Sequence, residues 1–205
     1  MLLVIAGTGG HSESVFDLAK SLDHEVVGFL DDVTDETNWN GIPVFKNIQS
    51  IGSSFGIVVA VGNGHSRERI VREIRATADS IHFPILVHPS AVVSTSAKIG
   101  IGTVVMPFAY IGPKCTIGDF CIINTHSSIE HNSNIGNYVS IAPGVIMGGS
   151  VTVRDHTFIG IGSKITDNIN IGKDSIIGAG SLLNKNLSNN VVAYGSPAIV
   201  IRENL

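Results

Sequence analysis

The sequence predicts two folds in series: a small α/β domain of the Rossmann type, then an all-β solenoid, a parallel β-helix of hexapeptide repeats. Two observations carry this. The first is a period. Every sixth residue from Val93 to Leu183 is aliphatic or Met: Val93, Ile99, Val105, Ile111, Ile117, Ile123, Ile129, Ile135, Ile141, Met147, Val153, Ile159, Ile165, Ile171, Ile177 and Leu183. A helix repeats its apolar face at about 3.6 residues and a strand at two. A period of six requires short strands that turn corners at fixed intervals, which is a solenoid. The second observation is the opening stretch. An apolar run, Leu2 to Ala6, leads into Gly7-Thr8-Gly9-Gly10-His11-Ser12, a helical apolar face and a second apolar run.

Val15, Phe16, Leu18, Ala19 and Leu22 space out as one face of a helix. Glu25 to Leu30 is the next strand and ends in Asp31-Asp32. Strand, Gly-rich turn, helix and strand imply a parallel sheet. The turn aims backbone N–H groups and a helix N-terminus at an anion. Asp31 lies about twenty residues on, where dinucleotide folds place a ribose-binding acid. Ser12 stands in place of the third Gly of the G-x-G-x-x-G pattern. Thr34 to Asn40 reads as loop, Ile42 to Phe45 as a short edge strand and Phe55 to Val61 as a buried strand before Gly62-Asn63-Gly64. His65 to Ala78 reads as an amphipathic helix with Ile70, Val71 and Ile74 inward. Four or five strands are half a dinucleotide fold, suited to one nucleotide rather than NAD.

The expected domains are 1–80 for the Rossmann-like unit, 81–90 for a linker stiffened by Pro84 and Pro89, 91–187 for the β-helix and 188–205 for a C-terminal cap. Solenoids need such a cap over the last coil. Three strands per turn make a triangular prism of about five coils, on the order of 25 Å tall at roughly 4.8 Å per stacked strand.

The columns of the repeat assign directions. With the aliphatic residue as position one, position five is small (Ala97, Thr103, Ala109, Cys115, Cys121, Ser127, Ser133) and fills the interior. Position two is often Gly, as at Gly100, Gly112, Gly118, Gly136, Gly148, Gly160, Gly172 and Gly178. The expectation there is a positive φ at each corner. Position three carries Pro107, Pro113, Asp119, Asn137, Pro143, Asp155, Asp167 and Lys173 and faces outward.

Composition bounds the function. The chain has 205 residues, 43% hydrophobic and 15% charged, with net charge −4. That gives no electrostatic case for nucleic acid. No apolar run is long enough for membrane insertion. Met1 runs straight into the first strand without a leader pattern, so the expected location is cytoplasmic. Cys115 and Cys121 sit in the interior column as buried thiols, not nucleophiles.

His131 is the candidate for chemistry. It occupies the outward column, beside Glu130. An imidazole accepts a proton near neutral pH, and an adjacent carboxylate or main-chain carbonyl can fix its tautomer. The competing reading is zinc. His126 lies five residues earlier, and two such histidines on neighbouring corners can bind a metal across a subunit boundary. Hexapeptide-repeat carbonic anhydrases have such a pair, but their further ligand is expected near residue 90, where this chain has Ser90 with His88 out of register.

The GTGGHS turn, the FLDD strand end, the VGN turn, the solenoid carrying INTHSSIEH and the GSPA tail occur in that order. In this the whole chain resembles the bacterial sugar O/N-acyltransferase family, which includes bacillosamine- and perosamine-type 4-amino-sugar N-acetyltransferases and a sialic acid O-acetyltransferase. The resemblance implies a left-handed β-helix, acetyl-CoA as donor, a nucleotide-linked amino sugar as acceptor, no metal, and a homotrimer with active sites between neighbouring prisms. It places His131 at the catalytic base, with Glu130 and Asn132 beside it. It places Gly9, Gly10, His11, Asp31, Asp32 and Gly62 at the nucleotide sugar, with Asn124 near the sugar ring. Ser140, Ile161 and Ala179 fall on positions that contact acetyl-CoA, largely through backbone. Asn132 stands where the bacillosamine enzyme has an acid, and Ser140 where many relatives have histidine. The implied reaction is acetyl transfer to a sugar 4-amine. Sialic acid O-acetylation, zinc-dependent hydration and nucleotide-sugar binding without chemistry are the alternatives.

Overall fold

The computed structural model describes residues 1–51, 54–77 and 81–204. Ala78 and Ser80, where the sequence reading ends the second helix and the first domain, lie outside them. The chain forms two compact units, Met1–Leu86 and Val87 onward.

In the first unit β1 (Leu2–Ala6), α1 (Gly10–Ser21) and β2 (Glu25–Leu30) follow in sequence. Then come β3 (Asn38–Trp39), β4 (Ile42–Phe45), a short 3-10 turn at Ile48–Ile51, β5 (Gly56–Val59) and α2 (Gly64–Thr77). The sheet order is β3-β4-β2-β1-β5. β1 is parallel to both β2 and β5, and β4 is parallel to β2. β3, which the sequence reading takes as loop, is a two-residue strand antiparallel to β4, so the edge moves out by one strand. β1 and β5 are buried on both sides, which explains their unbroken apolar runs. α1 buries Val15, Phe16, Leu18 and Ala19 against the sheet. α2 buries Val71 and Ile74, with Ile70 half-buried.

The second unit is a parallel β-helix of two-residue rungs. Rungs at 92–93, 110–111, 128–129, 146–147, 164–165 and 182–183 stack as face A. Those at 98–99, 116–117, 134–135, 152–153 and 170–171 stack as face B. Those at 86–87, 104–105, 122–123, 140–141, 158–159 and 176–177 stack as face C. Each rung pairs with the one eighteen residues on, as Ile111 does with Ile129 and Ile129 with Met147. The position-one residues form one continuous core, with Val105, Ile111, Ile123, Ile129, Ile141, Met147, Ile159, Ile171 and Ile177 fully buried. The small position-five residues complete it, including both thiols. Burial pushes the Cys115 thiol pKa up. The last coil ends in a hairpin, Val191–Gly195 with Ala198–Glu203, whose first strand extends face C beyond 176–177.

One expectation fails in an informative way. None of the position-two glycines has a positive φ. The left-handed residues are at position four: Phe108, Lys114, Phe120, His126, Asn132, Tyr138, Gly144, Ser150, His156 and Gly162 among them. Position two needs glycine for room. A Cβ on Gly118 would lie 2.7 Å from the Gly136 carbonyl, and one on Gly160 would lie 2.6 Å from the Ala179 nitrogen. The coils stack too closely there for any side chain.

Candidate active site

The predicted residues are divided between the two units. In the first unit they surround the C-terminal ends of the parallel strands, where open α/β sheets bind ligands. A cavity of about 420 Å³ opens there, within the size range of small-molecule sites. Its walls include Gly7, Asp31, Asp32, Lys46, Gln49 and Arg69. Asp31 is already engaged. Its Oδ2 accepts from the Thr8 N–H at 3.0 Å and the Thr8 hydroxyl at 2.7 Å. Its Oδ1 accepts from the N–H groups of Val33 and Thr34 at 3.0 and 3.1 Å. Burial would raise its pKa, but these hydrogen bonds outweigh burial and hold it below the usual carboxylate range. Asp31 therefore ties the β1 turn to the β2 turn, and Asp32 is the exposed carboxylate on the cavity wall.

Gly9, Gly10, His11 and Gly62 do not line that cavity. Gly9 is the N-cap of α1, and Gly10 is its first residue. A Cβ at Gly9, Gly10 or Gly62 would meet no described atom within 4 Å, so neither φ nor packing explains these glycines. Gly7 differs: its φ of +111° and the nearby Val61 and Ala60 explain it within the fold. Ser12, in place of the third Gly, is buried and donates to the Gly9 carbonyl. The His11 Nε2 is buried without a hydrogen-bond partner among the described residues. Burial and then the charge of Arg67 push its pKa down to about 4, so the ring is neutral. Arg67, which the sequence reading passed over, is 1% exposed and donates from Nη1 to the carbonyls of Val61 and Gly62.

In the second unit the candidates lie on two different edges of the prism. His131 is on the edge joining faces A and B, exposed, as its column implies. The Asn132 Nδ2 is 2.9 Å from its Nδ1. The Glu130 carboxylate instead accepts from the Ser128 hydroxyl at 3.4 Å, so Asn132, not the acid, is placed to set the tautomer. With the carboxamide turned over, Oδ1 takes the place of that Nδ2 and accepts an Nδ1–H, which leaves the Nε2 lone pair free to take a proton. The ring lies over Gly149 in the next coil. A Cβ at Gly149 would be 2.5 Å from Cε1 and 2.7 Å from Nε2. Gly149 is thus the seat of the imidazole. Its position eighteen residues beyond His131 was the available signal, and only the stacking register reveals it.

Asn124, Ile161 and Ala179 share the edge between faces C and A. Asn124 Oδ1 accepts from the Thr125 N–H at 2.8 Å. Ser140 does not join them. It lies on the flat of face C and is 6% exposed. His126 is also on the C–A edge, stacked on Phe108 with centroids 4.9 Å apart.

The edges differ in how they treat position-three N–H groups. On the B–C edge, Ile101 N–H donates to Asp119 Oδ1, Asp119 N–H to Asn137 Oδ1 and Asn137 N–H to Asp155 Oδ1, at 2.8–3.0 Å. The corresponding C–A column reads Pro107, Thr125, Pro143, Ile161 and Ala179, with no Asp or Asn. Among the described residues, the N–H groups of Ile161 and Ala179 have no acceptor, and both residues are exposed. Beside them Gly162 and Gly180 hold φ of +67°, with no described atom within 4 Å of a Cβ there. This edge is bare backbone with donors turned outward.

Known proteins resemble the chain in both units. Residues 2–74 match the family model described as the PglD N-terminal domain, and residues 96–131 match that of the bacterial transferase hexapeptide (six repeats). GDP-perosamine N-acetyltransferase of Escherichia coli O157:H7 is 33% identical over 122 residues, 57% of this chain and 53% of that protein. The chain spans about half the length of the curated relatives it matches. The acetyltransferase domain of PglB from Neisseria gonorrhoeae is 31% identical with a TM-score of 0.90, covering 98% of this chain and 99% of that one. A histidine-to-asparagine mutant of perosamine N-acetyltransferase from Caulobacter crescentus, in complex with CoA and GDP-perosamine, is 29% identical with a TM-score of 0.92, covering 99% and 98%. Likeness along the full length of both units, with hexapeptide and N-terminal domain models both matched, means that the chain belongs to the hexapeptide-repeat sugar O/N-acyltransferase family.

Proposed function

We propose that the protein transfers an acetyl group from acetyl-CoA to the 4-amine of a nucleotide-linked 4-amino-4,6-dideoxy sugar. The observation that carries this is His131, seated on Gly149 with Asn132 at its Nδ1, on an otherwise turn-forming edge. The relatives support it: one is named for GDP-perosamine N-acetylation, and another is solved with CoA and GDP-perosamine. A histidine is the residue replaced in that complex.

His131 Nε2 accepts a proton as the amine nitrogen attacks the thioester carbonyl. The N–C bond forms, the C–S bond breaks, and the proton held by His131 passes to the leaving thiolate. No acyl-enzyme is needed. The first unit holds the nucleotide through the strand-end cavity and the open glycine turns, with Asp32 and the neutral His11 as polar contacts. The N–H groups of Ile161 and Ala179 receive carbonyl groups of the acyl donor. Positioning of both substrates supplies much of the rate.

His131 and the donor-binding edge flank face A, so one prism does not bring them together. The outward positions of face A are Val92, Tyr110, Ser128, Ile146, Lys164 and Leu182, four of six apolar or aromatic, whereas those of face B are all polar: Lys98, Thr116, Asn134, Thr152 and Asn170. A homotrimer with the three A faces turned to its axis sets the His131 edge of one copy against the C–A edge of the next. No described helix is long and apolar enough to cross a membrane, and a cytoplasmic location suits nucleotide-sugar and acetyl-CoA substrates.

The test is His131→Ala assayed by thiol release from acetyl-CoA with a panel of nucleotide 4-amino sugars and sialic acid. The expected result is a fall in kcat of about 10²–10⁴-fold on an amino sugar, the range for a lost general base, with CoA still bound. Near-wild-type turnover would sink the assignment of the base.

A further inference from the structure

Aromatic rings stand on only two rungs of the C–A edge. Its position-four column reads Ser90, Phe108, His126, Gly144, Gly162 and Gly180. Phe108 and His126 hold φ of +59° and +56°, a region that disfavours bulky residues, whereas the next three rungs make the same turn with glycine at +67°. The two rings stack with centroids 4.9 Å apart and planes 13° from parallel, yet Phe108 is 59% exposed and His126 is exposed beside it. On the B–C edge, by contrast, Phe120 of the same column is 1% exposed. Neither the turn nor the core calls for rings at 108 and 126. Phe108 covers one side of the His126 ring. The other side looks toward Gly144, where a Cβ would meet no described atom nearer than the Gly162 Cα at 3.9 Å. The pair thus ends in an open aromatic face.

That face is level with the base. His126 and His131 belong to one coil, on the two edges that flank face A, and the His131 ring leans over Gly149, in the coil of Gly144. Turning one prism into the next about an axis along the prisms leaves every height unchanged. In the homotrimer proposed above, the Nε2 of one copy therefore stands opposite the space between His126 and Gly144 of the next. The rungs that carry the rings offer no free backbone donor among the described residues. Pro107 has none, the Phe108 N–H donates to Ser90 Oγ, the Thr125 N–H to Asn124 Oδ1 and the His126 N–H to the Pro107 carbonyl. What meets the base from across the interface is thus the face of a ring. The acceptor of the proposed reaction has a group for it. In a 4-amino-4,6-dideoxy sugar the amine on C4 and the methyl on C5 are vicinal, so the surface that receives the methyl lies beside the nitrogen that His131 deprotonates. An aromatic face packs against a methyl, and it leaves the hydroxyl of a 6-hydroxy sugar without a hydrogen-bond partner.

We propose that the Phe108–His126 stack of one copy receives the C5 methyl of the sugar whose amine is held at His131 of the next, and so selects 6-deoxy acceptors over 6-hydroxy ones. This rests on the acetyl-transfer reading and the homotrimer above. The stack determines specificity and takes no part in proton transfer.

Thiol release from acetyl-CoA tests it on the full chain, with two acceptors that differ only at C6: the best nucleotide 4-amino-4,6-dideoxy sugar of the panel and its 6-hydroxy counterpart. The variants are His126→Gly, which suits a φ of +56°, and His126→Phe, which keeps a ring. The expected result is that the wild type favours the 6-deoxy sugar in kcat/KM by about 10²-fold, the discrimination of an apolar pocket against an added hydroxyl, and that His126→Gly lowers this ratio by about tenfold or more. His126→Phe retains the ratio. Equal use of both sugars by the wild type, or an unchanged ratio in His126→Gly, would overturn the role of the stack alone. An equal fall for both sugars in His126→Gly would overturn it too, because that is the signature of a disturbed edge. A wild-type chain that is active but sediments as a monomer would overturn the trimer and this proposal with it. A wild-type chain that releases thiol with no acceptor of the panel would overturn the acetyl-transfer reading itself.

Discussion

Gly149→Ala separates positioning of the base from folding. A methyl at 149 would sit 2.5 Å from Cε1, 2.7 Å from Nε2 and 3.1 Å from Nδ1 of His131. Carbon atoms in contact prefer about 3.5–4.0 Å, so the ring must move by about 1 Å. A misplacement of that size lowers turnover by about 10²-fold, which is about 2.7 kcal/mol of transition-state stabilisation. The backbone tolerates the change, because Gly149 does not occupy the left-handed region. Removing the freedom of a glycine from the unfolded chain adds about 0.4–1 kcal/mol to stability. The expected variant is thus as stable as the wild type or slightly more so, and about a hundredfold slower, with donor affinity kept. The assay is thiol release at saturating substrates, alongside His131→Ala and the double variant. Because Gly149 acts through His131, its replacement should cost nothing further once the imidazole is gone. Turnover within threefold of wild type would refute the seat. An equal loss in the His131→Ala background would show that Gly149 works by another route.

Two further outcomes follow from the fold. His11 has a folded pKa of about 4 against an ordinary 6.5. As pH falls, the unfolded chain takes the proton first, so the stability contribution is complete above about 6.5 and declines from there to about 4. The loss is on the order of 1–3 kcal/mol for a partly exposed side chain. Thermal melts from pH 7.5 to 4 should therefore fall more steeply for the wild type than for His11→Gln, and parallel curves would remove this account of the ring. Gly118→Ala should break the solenoid stack, because its methyl would meet the Gly136 carbonyl, which is backbone and cannot swing aside. A denaturant midpoint equal to wild type would show that the coils can separate to admit it.

The period of six made the solenoid legible, because every rung repeats the same choice of buried aliphatic and small inner residue. The direction of the His131 side chain was legible for the same reason. What the period does not show is which turn position carries the strained φ. Gly at position two looked like the conformational residue, yet Phe120 and Tyr138 adopt the left-handed region at position four, held by stacking on one another at 5.4 Å. Glycine is at position two because Asp119 and the Gly136 backbone pass too close. Asp31 was legible as important but not in its role. Its spacing suggested a ribose contact, whereas both its oxygens are engaged by Thr8, Val33 and Thr34.

The three edges of one regular prism have diverged by single-column changes. The B–C edge is closed. Asp119, Asn137 and Asp155 consume the outward N–H groups, and Phe120, Tyr138 and His156 stack over the corner, with centroids 5.3–5.4 Å apart. The C–A edge has the opposite composition. Proline at 107 and 143 removes donors, Ile161 and Ala179 leave theirs unmet, and Gly144, Gly162 and Gly180 strip the corner of side chains. On the A–B edge Gly149 stands one coil before Asp167, the acceptor of its own N–H, and leaves room for the His131 ring where an Asp would otherwise sit. Because a solenoid core is satisfied by positions one and five alone, the outward columns are free to vary. Function is therefore written in columns read every eighteen residues, one edge at a time, rather than in any contiguous motif.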